Sequence, residues 1–375
     1  MNKAFFINGG AGRVLCSIPA LEKYAETHDD FIIVAESWGE LYLCCPNLRE
    51  HVYPMGHKGL FEEKLLDKKI VSPEPYRVNQ YFNQKCNLIQ AFDIIINELD
   101  EPRELPKIKL DISKEDQITG YNIITEVRQN LEKEKVIVFQ PFGQGSKVSG
   151  NFIYDSSGRS FEVSNVIQII ERLKEKYGVI LMSDIDIPGW TQMGVARPKE
   201  IGLNGWAGVI NGADYFLGCD SVGQHFAHAV NTPACVVIGS TFPENISYPQ
   251  SSNFNIIDNG KGKRKYSPIR ITFNIDCDRN NESLMVMEEK QIDEIIKTID
   301  KKLKPSKSFS GSKLNGIKPS SKGGPSSAPL VNFKPATPGS FKKEKTAKKK
   351  PIDEIMELEV SKTKEQTTEV EKVIS

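Results

Sequence analysis

The stretch formed by residues 215–241 constrains the fold of this chain more than any other. It contains two short apolar runs, 215–219 and 234–238, separated by a segment of helical length. Apolar runs on either side of a helix predict buried strands joined by a β-α-β crossover in a parallel sheet. Ligands of such sheets bind beyond the carboxyl ends of the strands, near helix N-termini whose free N–H groups favour anions. The stretch therefore predicts both an α/β fold and the location of a binding site.

Polar residues follow both predicted strands. Asp220 and Ser221 come directly after the first strand, and His225 follows one helical turn later. Gly239 and Thr241 lie just beyond the second strand. We expect these side chains to lie close together at one edge of the sheet. Two simpler interpretations stay open: Asp220 and Ser221 are frequent residue types at a helix N-cap, and His225 is flanked by apolar residues as a core histidine would be.

Length and charge narrow the class of protein. A chain of 375 residues is long enough for two ordinary domains, each with a large core. The formal net charge is zero, so no basic field favours nucleic acid as a partner.

The cysteines and the apolar runs bear on the cellular compartment. Seven cysteines occur without a CxxC pair, and several lie inside apolar runs, which favours a reduced, intracellular protein over a disulfide scaffold or zinc module. The sequence begins without the long apolar core of a secretion signal, and no run of eighteen apolar residues predicts a membrane span. We expect a soluble, cytoplasmic protein.

The N-terminus reads as a strand, a glycine-rich turn and a helix. Residues 4–7 form the predicted strand, Gly9, Gly10 and Gly12 lie in the turn, and residues 14–26 form the predicted helix. This arrangement resembles the start of a dinucleotide-binding domain, because glycine lets the backbone approach a phosphate closely. The spacing is not GxGxxG, however, so a simple tight turn remains an alternative.

A second strand and loop of this kind begin after residue 135. The predicted strand 136–140 leads into a loop that contains Gly143, Ser146 and Lys147. A helix is predicted over 161–176, and the next strand, 179–182, is followed by Ser183 and Asp184. This fresh alternation of strands and helices predicts a second Rossmann-like domain.

The pattern predicts three regions. Residues 1–130 form one Rossmann-like domain, and residues 131–303 form a second that ends in an amphipathic helix over 291–303. Residues 304–375 are predicted to be a disordered tail, because eleven lysines face one acid between residues 307 and 350 and almost no aliphatic clusters occur there. Residues 351–375 turn acidic, and either a solvated end or a peptide that docks on a protein partner fits them.

The sequence resembles the GT-B glycosyltransferases, and within them glycosyltransferase family 9, the lipopolysaccharide heptosyltransferases. The resemblance covers roughly residues 3–303. Its clearest part is ADYFLGCDSVGQH, residues 213–225, and it continues through the proline and glycine positions up to 243. Residues 12–21 resemble the family's N-terminal motif, and 283–299 resemble its closing helix region. The N-terminal sequence is also similar to that of transferase-like proteins of large tailed phages. This similarity would place the protein in the cytoplasm of a bacterial host.

The resemblance implies roles for individual residues. Asp220 and Ser221 would cap the helix and contact the phosphate or sugar of a nucleotide-diphosphate sugar, and His225 would face the same anion. Lys147, in the loop with Gly143 and Ser146, would neutralise the diphosphate. The remaining implied donor contacts are Ser183, Asp184, Gly223, Gly239 and Thr241. The glycines at positions 9, 10 and 12 would form the acceptor-side loop.

The resembled reaction is a metal-independent hexosyl or heptosyl transfer with inversion, from a donor of the ADP-sugar type to a glycan or other hydroxyl acceptor. The resemblance implies no cofactor beyond this nucleotide-sugar co-substrate. Residues 184–186 nevertheless spell DxD at a strand end, where two carboxylates would suit Mg²⁺ beside a phosphate. The metal-free interpretation follows the family.

The sequence departs from the family at the catalytic base. The family has an aspartate after the glycine of its N-terminal motif, whereas this chain has Arg13, which stays protonated and cannot take a proton. Arg13 would instead bind a phosphate or carboxylate of a ligand. Glu36, at the end of the second strand, is an alternative base by position alone. The glycine after Asp220 is also displaced, to Gly223. A non-catalytic GT-B binding protein, tethered to an assembly by its tail, is therefore the alternative function.

Overall fold

Two parallel β-sheets organise the part of the chain that the computed structural model describes, residues 2–149, 152–155, 157–187, 189–264 and 284–304. These residues all lie within a single unit, 1–311. The tail, with its predicted docking peptide at 351–375, and Cys277 lie outside the described residues. The other six cysteines are free and buried.

The first sheet has four strands in the order β3-β2-β1-β4, all parallel. Its strands are β1 Lys3–Ile7, β2 Phe31–Ala35, β3 Val52–Pro54 and β4 Lys69–Val71. The α-helices of this half are α1 Ala11–Ala25, α2 Glu40–Leu43, α3 Asn79–Phe82, α4 Leu88–Ile96 and α5 Lys114–Asn130. Short 3-10 turns occupy Arg49–His51 and Pro75–Arg77, and a π-helix occupies Leu60–Leu65.

The second sheet has five parallel strands in the order β11-β10-β9-β5-β8. These are β5 Val136–Gln140, β8 Gly178–Leu181, β9 Tyr215–Cys219, β10 Ala234–Ile238 and β11 Phe254–Asp258. An antiparallel hairpin, β6 Ser146–Ser149 and β7 Phe152–Asp155, follows β5. The α-helices are α6 Val163–Lys174, α7 Leu203–Gly212, α8 Val222–Ala229, α9 Pro243–Ile246 and α10 Glu289–Leu303, with a 3-10 turn at Trp190–Gln192.

The strand β9 shows why these apolar runs form buried parallel strands. All five of its residues are buried. Phe216 packs into the core on one face of the sheet, whereas Tyr215, Leu217 and Cys219 pack into the core on the other face. Helices cover both faces of such a sheet, so a continuous apolar run satisfies both.

Two glycines bring α5 and α7 into backbone contact. A Cβ atom on Gly120 would lie 2.3 Å from the carbonyl carbon and oxygen of Gly208, and one on Gly208 would lie 2.2 Å from the carbonyl oxygen of Asp116. Neither position can therefore carry a side chain without moving a helix. The crossing fixes α7, whose first turn carries Leu203 and Trp206 to the cleft described below.

The sequence prediction of an α/β fold with two sets of parallel strands is confirmed. The predicted strands at 136–140, 215–219 and 234–238 coincide with β5, β9 and β10. The strands β3, β4 and β11 and the β6–β7 hairpin were not predicted from the sequence. The division at residue 130 stays a prediction. No helix among the described residues is long and apolar enough to cross a membrane.

Candidate functional site

A cleft of about 590 Å³ lies between the two halves of the unit and is lined by both. Most of the residues that the sequence predicted for a binding site line this cleft. From the first half these are Gly10, Gly12 and Arg13, and from the second half they are Gly143, Ser146, Ser183, Asp184, Asp220, Ser221, His225 and Thr241. The carboxyl ends of β5, β8, β9 and β10 all open onto this cleft, as expected for a parallel sheet.

Asp220 lies at the bottom of the second half's wall, only 2% exposed. Its Oδ2 accepts a hydrogen bond from the Thr241 hydroxyl at 2.9 Å, and its Oδ1 accepts one from Gln224 Nε2 at 3.0 Å. Burial raises the pKa of Asp220 above its ordinary value, although the nearby Arg159 opposes this. The carboxyl group is thus held in one orientation by Thr241, which follows β10, and by Gln224 on α8.

Arg159 is the cation that faces Asp220, and no sequence pattern predicted its place in the site. Its Nη1 lies 4.0 Å from Asp220 Oδ2, its Nε donates to Ser157 Oγ at 3.0 Å, and the residue lines the cleft. Burial works against its charge, but the carboxylates of Asp220 and Asp155 raise the pKa of Arg159 above its ordinary value. A half-buried arginine therefore stands at the carboxyl end of β9.

Asp155, at the end of β7, holds the loop that carries Arg159. It accepts hydrogen bonds from the backbone N–H groups of Ser157 and Ser160 at 2.8 and 3.1 Å, and from both hydroxyls. Burial alone would raise the pKa of Asp155, but these bonds lower it. The Ser160 hydroxyl also accepts from the Gly143 backbone N–H at 2.9 Å. The loop after β5 and the loop after β7 are therefore joined.

The N-terminus of α8 is satisfied by Gln140 rather than by Asp220 or Ser221. Ser221 is the N-cap residue, but its side chain makes no capping hydrogen bond. Instead Gln140, at the end of β5, accepts from the Gly223 backbone N–H through Oε1 at 2.9 Å and donates from Nε2 to Ser221 Oγ at 3.3 Å. The expectation that Asp220 and Ser221 cap the helix was wrong, because the neighbouring strand supplies a longer side chain that reaches the same N–H.

His225 lines the cleft as a neutral imidazole. Its Nδ1 lies 2.7 Å from the Tyr248 hydroxyl and 3.7 Å from Cys16 Sγ. Burial, with a smaller effect of His228, lowers the pKa of His225 to about 3. A Cβ atom on Gly12 would lie 2.9 Å from His225 Cδ2, so the glycine permits α1 to contact α8 directly. The His225 ring therefore adds a polar group to the cleft but carries no positive charge at neutral pH.

Arg13 reaches the cleft from the opposite wall, but its charge is already paired. Its Nη1 donates to Glu74 Oε1 at 2.9 Å and its Nη2 to the Pro73 carbonyl at 2.5 Å. The guanidinium carbon lies 5.3 Å from the centre of the Tyr76 ring and 5.5 Å from that of Phe92. With 4% of its surface exposed, Arg13 is a structural cation of the first half.

Five nominated residues do not line the cleft. Glu36 and Lys147 are exposed, Lys147 on strand β6, and their predicted roles stay predictions. Gly9 forms the turn before α1 with a φ of 94°. A Cβ atom on Gly223 would lie 2.5 Å from Gln140 Oε1, and one on Gly239 would lie 2.8 Å from the Gly158 carbonyl oxygen. These last two glycines permit close packing behind the wall.

The two carboxylates of the DxD motif, Asp184 and Asp186, have different neighbours. Asp184 lines the cleft, whereas Asp186 forms an ion pair with Arg197. Ser183, between the strand β8 and these acids, exchanges hydrogen bonds with the backbone of Ile185 at 2.9 and 3.0 Å. Within the described ranges, no group of three or more His, Cys, Asp or Glu side chains is arranged to hold a metal ion.

The first half adds six further lining residues that the sequence did not predict, among them Trp38, Glu40, Tyr76 and Tyr81. Glu40 is the first residue of α2 and lies four positions after Glu36, the acid that the sequence suggested as a base. Trp38 has a φ of 61°, a left-handed conformation that is unusual for a bulky residue. No periodic pattern marks these positions, because they lie in turns and short helices. The signal available was the cluster of aromatic residues and acids after β2.

Comparison with known proteins supports the fold. No protein-family model and no curated protein matches the sequence. The structure of a family 9 glycosyl transferase from Veillonella parvula superposes with a TM-score of 0.54 at 12% identity, covering 79% of this chain and 97% of that one. The iron-containing dodecameric glycosyltransferase TibC of Escherichia coli gives 0.50 at 12% identity, covering 80% and 76%. The ADP-heptose heptosyltransferase II of E. coli gives 0.48 at 14%, covering 72% and 95%.

The resemblance to glycosyltransferase family 9 is therefore confirmed in the fold, which is the GT-B arrangement of two parallel-sheet halves around a cleft. At 12% identity these similarities show the fold alone. The chemistry of the site has to be inferred from the residues of the cleft.

Proposed function

We propose that this chain is a glycosyltransferase-like protein that binds a nucleotide-diphosphate sugar in the cleft and transfers the sugar, with inversion, to a hydroxyl acceptor. The observation that carries the proposal is Arg159, a half-buried arginine fixed at the carboxyl end of β9 in a cleft of the family 9 fold. A departing nucleoside diphosphate needs positive charge that is already in position.

Arg159 takes over the role that the sequence gave to Lys147. Its planar guanidinium can donate two parallel hydrogen bonds to a phosphate, which the ammonium group of lysine cannot do. Asp220 and Ser157 keep the guanidinium in place, so little conformational entropy is lost when a phosphate binds. Asp220 is thus a positioning residue on the donor side.

We propose the remaining donor contacts from their position in the cleft. Gly143 and Ser146 line the cleft beside the loop of Arg159, and the N-terminus of α8 opens onto it at Ser221. Ser183 and Asp184 lie at the end of β8, where the nucleoside would be bound. An ADP-sugar is the donor we propose, in keeping with the resembled family. Arg159 supplies charge to the diphosphate whether or not a metal ion accompanies it.

A non-catalytic binding protein is the second candidate function. The observation that favours it is that Arg13, at the position of the family's catalytic aspartate, is paired with Glu74 and cannot accept a proton. Nucleotide-sugar binding is common to both candidates. Release of nucleoside diphosphate from a labelled donor, with transfer of the label to an acceptor, separates the enzyme from the binding protein.

The binding step is tested by thermal unfolding of the full chain with ADP, UDP, GDP and their glucose conjugates. A ligand that binds only the folded state raises the melting temperature with its concentration. We expect the ADP series to stabilise the protein, and Arg159→Met to weaken that binding about 100-fold, the value of a lost charge-assisted hydrogen bond or two.

Lys147→Met is the matched control, because it removes a cation from the same hairpin region outside the cleft. It should leave the nucleotide affinity within about twofold, the effect of a surface substitution. Arg159→Lys, which keeps the charge next to Asp220, should fall between the two and guards against misfolding of the methionine variant. Weakened binding in Lys147→Met with normal binding in Arg159→Met would refute the proposal.

A further inference from the structure

The wall that the first half contributes to the cleft includes three aromatic residues and one acidic residue besides the glycines and Arg13 of the N-terminal loop and helix. Trp38, Tyr76 and Tyr81 supply the rings, and Glu40 supplies the carboxylate. In the proposed function, which this inference rests on, the wall faces the donor site and holds the acceptor. Its composition therefore bears on the chemical class of the acceptor.

The charge of this wall is set by what Arg13 already contacts. The Arg13 guanidinium is paired with Glu74 and the Pro73 carbonyl, and it lies between the Tyr76 and Phe92 rings. An anionic acceptor would have to displace Glu74 from a guanidinium that is 3% exposed. Among the described residues that line this wall, Glu40 is the charged residue without an ion-pair partner, and its carboxylate would repel an anion.

Rings combined with a carboxylate suit an uncharged sugar. The C–H faces of a sugar pack on aromatic rings, and its hydroxyl groups donate hydrogen bonds to a carboxylate. Trp38 is held at a φ of 61°, and such conformations occur where the surrounding structure fixes a functional side chain. The Glu40 backbone carbonyl accepts a hydrogen bond from Asn204 Nδ2 at 3.3 Å, which ties α2 to α7 of the other half.

We propose that the acceptor is an uncharged sugar and that Glu40 is the general base that activates its hydroxyl. The Glu40 carboxylate forms no hydrogen bond or ion pair with any other residue that the structure describes, so it is available to a ligand. In the transfer step, the acceptor oxygen attacks the anomeric carbon of the donor. The bond from that carbon to the diphosphate oxygen breaks, its electron pair leaves with the nucleoside diphosphate, and the hydroxyl proton passes to Glu40.

The binding part of the proposal is tested on the full chain by ligand-observed NMR. The probes are two matched sets, methyl glucoside, galactoside and mannoside against methyl glucuronide, galacturonide and 3-deoxy-octulosonate. We expect the uncharged set to contain a ligand that binds at least about tenfold more tightly than any of the anions, a difference of the size set by placing like charges together. Trp38→Ala should weaken that binding about tenfold or more, the effect of losing one stacked ring.

The role of Glu40 is tested with Glu40→Gln, and Glu36→Gln serves as the matched control because Glu36 is exposed outside the cleft. Glu40→Gln should leave uncharged-sugar binding within about threefold and lower the transfer rate about 100-fold or more, the usual contribution of a general base. It should also strengthen binding of the anionic set, a change that a purely structural role would not produce. Glu36→Gln should match the wild type.

Several outcomes would overturn the proposal: tighter binding of an anionic sugar, no binding of either set, or an unchanged transfer rate in Glu40→Gln. These outcomes are separable from failure of the proposed function. Loss of the acceptor inference leaves ADP binding and its dependence on Arg159 intact, whereas absence of any nucleotide binding removes the proposed function itself.

Discussion

The two walls of the cleft are built by different means. In the second half, hydrogen bonds join the ends of neighbouring strands: Gln140, the last residue of β5, bonds to Ser221 and Gly223 beyond β9, and Thr241 beyond β10 donates to Asp220. In the first half, Arg13 on α1 is paired with Glu74, which lies sixty-one positions away in an irregular segment. One wall is assembled by the order of strands in a sheet, and the other by a contact between a helix and a loop.

This difference teaches how a site can change its chemistry while the fold persists. The strand-end wall retains residues that the family pattern leads one to expect, because the sheet itself brings them together. The helix–loop wall carries an arginine at the position of an expected acid, and a loop glutamate balances it. Under the proposed function, a single long-range pair sets the charge of the acceptor side, whereas strand ends form the donor side.

The largest expected effect comes from breaking that pair. Glu74→Gln leaves the buried Arg13 guanidinium without its carboxylate, which should lower the free energy of unfolding by about 3 kcal/mol, the lower end for a buried pair. The Pro73 carbonyl and the two rings remain as partners, so we expect no larger loss. Urea unfolding of the variant and the wild type measures the difference.

The control for this substitution is Glu36→Gln, which neutralises an exposed glutamate of the same half and should change stability by less than about 0.5 kcal/mol. If the two variants lose equal stability, the Arg13–Glu74 pair contributes nothing and the contrast between the walls fails. Nucleotide affinity should stay unchanged in both, because the donor wall does not depend on this pair.

A smaller, pH-dependent effect on stability is expected from the two histidines of α8. Burial lowers the pKa of His225 to about 3 and that of His228 to about 4, whereas an unfolded histidine titrates near about 6.5. Between these values the unfolded state binds protons that the folded state does not, so stability falls as the pH falls from about 6.5. From pH 6.5 to 5.5 the two histidines should together remove about 2 kcal/mol.

His228→Asn isolates one of these groups, because its ring stacks on Tyr248 outside the cleft lining. The variant is expected to start less stable and to lose about 1 kcal/mol less than the wild type over the same interval. Denaturant unfolding at both pH values gives each loss. Equal losses in the two proteins would mean that His228 does not titrate as its burial requires.

The contrast between the walls also explains what the sequence could predict. Asp220, His225 and Thr241 were found because an apolar run predicts a strand, and parallel strands place their carboxyl ends together. Arg159 was missed because it lies in an irregular loop after a hairpin, where neither helical nor strand periodicity occurs. The pairing of Arg13 was missed for the same reason on the side of Glu74. Local patterns predict strand ends, whereas contacts between distant irregular segments require the folded chain.

The smallest predicted effect distinguishes the two interpretations of the α8 N-terminus. Gln140→Ala removes the acceptor for the Gly223 N–H and should lower the free energy of unfolding by about 1 kcal/mol, the usual value of a helix cap. Ser221→Ala should cost about half as much, because its hydroxyl makes no capping bond and only accepts from Gln140 at 3.3 Å. Urea unfolding of both variants gives the order. A larger loss in Ser221→Ala would restore the hydroxyl as the cap, and the donor wall would then depend on its own turn rather than on the neighbouring strand.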